Sequence, residues 1–93
     1  MNKQLVDKWI EEFDLDADQA KLLERFSVLM DRNSLWLMDG QSSGGDIEFI
    51  YTDEAIHYKF SLDDMKELMD ALDAGESLDW KEIDEKYTVP HGT

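Results

Sequence analysis

The 93-residue chain has no cysteine, one proline, two arginines and no long apolar run. Without cysteine there is no disulfide framework, no thiolate zinc site and no thiol nucleophile, a composition that suits a reducing compartment. A cytoplasmic location is the expectation. The longest apolar stretches, such as Leu35-Trp36-Leu37-Met38, fall far below the roughly 20 residues that cross a bilayer. Residues 1–13 interleave Lys3, Asp7, Lys8, Glu11 and Glu12 with their apolar side chains, so no signal peptide is expected. Basic residues number 9 against 23 acids, a formal net charge of −14. Phosphate backbones and anionic lipids are held by clustered Lys and Arg, so direct nucleic-acid binding and membrane binding are not expected.

What is present is a core. Hydrophobic residues make up 42% of the chain and aromatics 11%, with three Trp, which is too apolar for a disordered acidic chain. Its length supports one compact unit and leaves too little surface to bury for two. Residues 1–89 are therefore read as a single α+β domain and residues 90–93 as a frayed tail.

Periodicity divides the domain into the order ααβββαα. Leu5, Val6, Trp9, Ile10 and Phe13 share one face of a helix over residues 2–13. Asp16 with Gln19 forms a capping box for a second helix, which carries Leu22, Leu23, Phe26, Leu29 and Met30 inward and stops at Asn33. From Ser34 the period changes from 3.6 to 2. Residues 35–38 read as a short strand, apolar on both faces. A strand of that kind is central in its sheet or covered by a second subunit, which makes a homodimer a side expectation. Residues 39–46, rich in Gly and Ser, read as a flexible loop. Residues 47–52 and 55–60 read as a hairpin around Asp53-Glu54. A two-residue turn there pairs Phe49 with Tyr58, Glu48 with Lys59 and Ile47 with Phe60, leaving one face apolar and the other charged. Ser61 caps a third helix carrying Met65, Leu68, Met69 and Leu72, ended by Gly75. Asp79 and Glu82 cap a short fourth helix with Trp80, Ile83 and Tyr87 on one side. Met65, Met69, Trp9 and Trp80 are assigned to packing, and the helices are expected on one face of an antiparallel sheet.

The chain offers little chemistry. Asp14-x-Asp16-x-Asp18 has the carboxylate density of a calcium loop, but Gln19 and Arg25 stand where an EF-hand needs Gly and Glu. Gly40-Gln41-Ser42-Ser43-Gly44-Gly45 lacks the Lys of a phosphate loop and is followed by Asp46. The two histidines are His57, placed by the two-residue turn across from Ile50, and His91 in the tail. Neither comes with the nucleophile and orienting acid that a catalytic base requires. No catalytic residue, metal site or cofactor is expected.

Charge carries more information. Residues 61–93 hold −7 of the −14. Asp63, Glu67 and Asp70 line the outer side of the third helix at i, i+4 and i+7, a like-charge stripe that weakens a helix. Asp73, Glu76, Asp79 and Glu82 continue it. Such self-repulsion is tolerated where it gives solubility or where a positive partner neutralises it. These seven carboxylates are the candidate interaction surface of an acidic protein-binding module. It would dock on a basic partner protein, such as a nuclease or another nucleic-acid-binding protein, placing carboxylates where phosphates would lie. In size, acidity and lack of a catalytic motif the chain shares the general character of phage-encoded defence inhibitors and immunity proteins against nuclease toxins. That likeness is one of composition, and no family motif carries it. The alternatives are a housekeeping or regulatory domain whose acidic face is only solvation, and a small enzyme with a site near His57. Halophilic adaptation ranks lower, since seven of the nine basic residues are Lys.

Overall fold

The change of period along the chain is realised as two helices, a three-stranded meander, two further helices and a short closing strand. The computed structural model describes residues 3–89. The expected tail at residues 90–93, with His91, lies outside the described residues. The elements are α1 (Lys3–Glu12), α2 (Ala17–Arg32), β1 (Trp36–Ser43), β2 (Asp46–Thr52), β3 (His57–Ser61), α3 (Leu62–Asp73), α4 (Trp80–Tyr87) and β4 (Thr88–Val89). The strands form one antiparallel sheet in the order β1-β2-β3-β4. The α+β class stands, with a fourth strand that the sequence reading lacks.

Side chains fix the helix ends. Asp16 accepts from the Gln19 N–H at 2.8 Å while the Gln19 side chain accepts from the Asp16 N–H at 3.1 Å, and Ser61 with Asp64 repeats this box at α3. Both boxes satisfy amide donors that a helix start leaves unpaired. Three helices then stop in one way. Asp14, Ser34 and Gly75 sit at positive φ of 50°, 63° and 92°. The residue after each donates its N–H back to Ile10, Met30 and Ala71 respectively, closing a Schellman turn. Ser34, rather than Asn33 at φ −103°, is therefore the left-handed stop of α2. Leu35, expected in a strand, is the buried residue that follows that turn.

The sheet corrects two expectations. Residues 39–43 are not loop: they extend β1 to Ser43, and Gly44 and Gly45 (φ 58° and 91°) make a two-residue turn into β2. Positive φ at both turn residues matches the twist of the flanking strands, and glycine adopts it without a steric cost. A bulge between Leu37 and Asp39 leaves Met38 as the extra residue and restores Gly40 to the inner face opposite Phe49. The second hairpin is offset by two from the expected register. Phe49 pairs with Phe60, Tyr51 with Tyr58, Thr52 with His57 and Glu48 with Ser61, so β3 covers 57–61. The cause is local. The Asp53 carboxylate accepts from the N–H groups of Ala55 and Ile56, Glu54 takes φ 82°, and the Thr52 hydroxyl bridges the Glu54 N–H and the Ile56 carbonyl. These bonds stabilise a four-residue loop. An offset of two preserves which face each side chain takes, so the apolar face is as expected. Lys59 still reaches Glu48 diagonally at 4.0 Å.

All four helices pack on that inner face. Phe26 of α2 meets Phe60 at 4.9 Å and Tyr51 at 5.6 Å between ring centroids, and Tyr87 of α4 meets Phe60 at 4.9 Å. Met65 and Met69 of α3 are buried, and Trp9 of α1 and Phe13, just after its end, stack on each other over Gly40 of β1. The buried Tyr51 hydroxyl is satisfied by Ser27 at 2.6 Å. Burial pushes the Tyr51 phenol well above its ordinary range despite that bond.

Candidate interaction surface

The acidic residues singled out by spacing are distributed by the fold. Helices α3 and α4 both lean on β3, and the segment between them, turned at Gly75, lets α4 run back past α3. A groove of about 840 Å³ lies between them. Its rim carries Glu67, Asp70, Glu76, Asp79 and Glu82, and its floor includes Leu68, Leu72, Leu78 and Ile83. Five of the seven expected carboxylates thus border one depression. Asp63 lies apart, in a cleft between α2 and α3 beside Lys21 and Arg25. Asp73 turns to α2 and meets Arg25 at 3.0 Å.

The carboxylates also differ in their local work. Asp79 caps α4, accepting from the N–H groups of Lys81 and Glu82. Glu82 faces Lys86 at 3.7 Å instead of returning to the cap, and Asp70 faces Lys66 at 2.8 Å. These pairs are exposed, a setting in which an ion pair contributes only about 0–1 kcal/mol. The carboxylates of Glu67, Glu76 and Asp63 have no hydrogen-bond or ion-pair partner among the described residues. The groove's field is visible in Tyr87, whose phenol is raised first by burial and further by Asp64, Glu67 and Glu82, against a lowering by Lys86. The sequence pattern did not disclose Lys86 on the rim or the leucine floor. The signal for the floor was there: Leu68 and Leu72 lie on the edge of the α3 apolar stripe and are only half-buried.

The opposite side of the sheet carries a second set of side chains, with Thr52 buried and Ile50, His57 and Lys59 partly exposed. Trp36, Thr52, His57 and Val89 form one cross-strand row over all four strands, and Asp39, Ile50 and Lys59 form the next. Trp36, Met38 and Ile56 are 40%, 42% and 37% exposed. His57 lies here across from Thr52, not Ile50 as the shorter turn required. Tyr58, its neighbour on the inner face, donates to Asp84 at 2.5 Å. Among the described residues no group of three or more His, Asp or Glu is placed to hold a metal ion, and no helix is long and apolar enough to cross a membrane. No protein-family model, curated protein or solved structure matches this chain, so its functional reading rests on these residues.

Proposed function

We propose that this chain is a small acidic binding module without chemistry of its own. It docks its α3–α4 side on a basic surface of a partner protein, such as the nucleic-acid-binding surface of a nuclease, in the manner of an inhibitor or antagonist. The observation that supports this reading is the groove: carboxylates on its rim, half-buried leucines on its floor, and Glu67 and Glu76 with no hydrogen-bond or ion-pair partner among the described residues. A basic side chain with an aliphatic stem fits such a site, since its stem covers apolar floor while its charge meets the rim. The remaining net charge steers a positive partner toward the site and accelerates encounter. Asp73 and Asp79 serve Arg25 and the α4 start, so the docking charge falls to Glu67, Asp70, Glu76 and Glu82.

The test is capture from lysate across a salt series. A basic partner is expected to be held at about 50 mM NaCl and released by about 500 mM, as screening shortens the reach of the field. The triple variant Glu67→Gln/Glu76→Gln/Glu82→Gln should reduce capture about tenfold, the sum of several rim charges worth tenths of a kcal/mol to 1 kcal/mol each. Capture that ignores both salt and the triple variant refutes the reading.

A further inference from the structure

Resting on the docking role above, we propose that the occupant of the α3–α4 groove is a basic amphipathic helix of two to three turns. Its apolar stripe lies on the leucine floor and its Arg or Lys side chains meet the acidic rim. The layout of the helical layer leaves room for it. α3 packs on α2 and β3, and α4 packs on β3 and β4, with little contact between α3 and α4 themselves. The gap between them is the groove of about 840 Å³. That volume lies in the range of about 300–1,000 Å³ that holds a drug-sized molecule, more than a single Arg or Lys side chain fills. A run of several side chains fits. On the α3 wall, Leu68, Ala71 and Leu72 follow at i, i+3 and i+4 and form one stripe, in which the small Ala71 leaves a notch beside the leucines.

Backbone chemistry selects a helix over an extended chain. An extended segment needs a strand edge on which to pair its N–H and C=O groups. The groove is walled by helices, whose backbone groups are paired within themselves, and β4 takes the β3 edge at His57 and Tyr58. An extended chain laid there buries amides without partners, at a cost for each. A helix pairs its own backbone and presents side chains alone. The α3 wall from Glu67 to Ala74 is about 12 Å long at about 1.5 Å per residue, which accommodates just over two turns. A docked helix sets its own i, i+4 ridge against the row of Leu68 and Leu72.

Charge sets the composition of that helix. Glu67 and Asp70 stand along α3, Glu76 and Asp79 close the turned end, and Glu82 with Lys86 stands along α4, a net of −4. Carboxylates on both sides of an apolar floor complement cations on both sides of an apolar stripe. Long Arg and Lys stems extend the apolar contact while their charges reach the rim. Asp70 and Glu82 already face Lys66 and Lys86 in exposed pairs. Glu67 and Glu76 have no such partner among the described residues, so the strongest cation positions of the occupant fall opposite these two.

The probe is a fluorescein-labelled peptide of Leu, Ala and Arg, about 15 residues long so that a helix can form, with its leucines at helical spacing. Fluorescence anisotropy against the whole protein is expected to show micromolar binding at about 50 mM NaCl, weakened at about 500 mM. Difference circular dichroism should show the peptide gaining helix on binding. Two peptides of equal charge isolate the cause: one has the same residues with the leucines at every second position, the other has Ser for each Leu. Each should bind at least about tenfold more weakly, since neither presents an apolar helical stripe. Ala71→Trp, which fills the notch, and Leu72→Gln, which breaks the floor, leave the charge unchanged and should each weaken the helical peptide about tenfold. Circular dichroism of the free protein checks each fold, and Ala71→Trp, at a half-exposed position, carries the test should Leu72→Gln misfold. Equal binding of the three peptides, no gain of helix, or an affinity unmoved by Ala71→Trp overturns the proposal. Lysate capture that still depends on salt and on Glu67, Glu76 and Glu82 would then leave the docking role standing, with a folded basic surface as its partner. Failure of both removes the docking role as well.

Discussion

The two faces of the sheet are made from the same strands in alternation, yet they are built for different ends. Inward, Phe49, Tyr51, Tyr58 and Phe60 are buried beneath four helices; Tyr51 and Phe60 meet each other and Phe26 edge-on, Tyr87 tilts onto Phe60, Tyr58 stacks on Phe60, and Phe49 meets Phe13 edge-on. Outward, Trp36, Ile50, His57 and Lys59 stand half-exposed, with a loose ion pair as the face's electrostatic contact to Glu48. A period-two strand thus gives one set of positions to the core and leaves the next residue along at the surface. The inner face holds the helices that carry the acidic groove; the strand positions of the outer face carry Asp39, Asp46, Glu48 and Lys59.

The strongest way to break this comparison is to truncate one ring on each face. Phe60 lies at the centre of the inner cluster, within 4.9 Å of both Phe26 and Tyr87 between centroids. Phe60→Ala should cost about 3–5 kcal/mol, the transfer free energy of the ring plus its cavity. Trp36→Ala, on the outer face, should cost under about 1 kcal/mol in dilute solution. Urea denaturation of both variants measures the difference, and equal losses would mean that the outer face is as structural as the inner one. A smaller effect follows at Gly40. A Cβ built there falls 3.0 Å from Trp9, 3.1 Å from Phe13 and 3.2 Å from Phe49, so α1 rests directly on the β1 backbone. Gly40→Ala should destabilise by about 1–3 kcal/mol through overpacking, read as a lower urea midpoint with unchanged slope.

That glycine also shows where the sequence was legible. The capping pair Asp16/Gln19, the cap at Ser61 and the stop at Gly75 are local chemistry, and they stand where spacing placed them; the return bond from Asp64 to Ser61 was not read from the sequence. Face assignment in β2 and β3 was equally legible, because alternation survives an offset of two. Loop length was not. It depends on the Asp53 carboxylate finding two N–H groups, a choice invisible to hydrophobic pattern. The second half of β1 has no β-branched residue, and its strand state comes from Trp9 and Phe13 lying over Gly40, a contact across more than 25 positions of chain. The two residues of β4 are too few to show a period. For the acidic surface, helical spacing could place Asp63, Glu67 and Asp70 on one side of α3 but could not say that α4 returns beside it. Nor could it find Arg25, 48 residues from Asp73.

A third way to sharpen the comparison is alkaline titration, because all three tyrosines belong to the helix-covered side. Burial, and then the hydrogen bond and charge of Asp84, push Tyr58 up to about 12, while burial raises Tyr51 and Tyr87. A phenol whose pKa is raised by folding binds its proton more tightly in the native state. Its contribution to stability is complete below the unfolded value near 10 and is lost as pH climbs through the folded value. Tyrosinate absorbance should therefore stay low in native protein past pH 10 and appear together with loss of ellipticity between about pH 10 and 12. Phenolate forming near pH 10 with the fold intact would show that the inner face admits water. Asp84→Asn should move the onset downward, since it removes the charge that opposes ionisation of Tyr58.

The smallest effect tests whether the helical side has exchanged stability for recognition. Glu67 lies four residues after Asp63 and three before Asp70, so it faces like charge in both directions along α3, and it has no cation among the described residues. Glu67→Gln should stabilise the fold by about 0.2–0.5 kcal/mol per repulsive pair removed, seen as a small rise in the thermal midpoint at low ionic strength. The gain should vanish near 1 M salt, where the screening length falls to about 3 Å. Lys59→Gln on the outer face should show no such gain, because Lys59 is the cation facing Glu48 and its removal leaves that carboxylate uncompensated. If Glu67 served solubility alone, its neutralisation would stabilise the protein without touching any complex. A residue whose removal stabilises the free protein while weakening its capture of a basic partner is maintained for binding. The joint sign of the two measurements, not the size of either, separates a solvated acidic face from a recognising one.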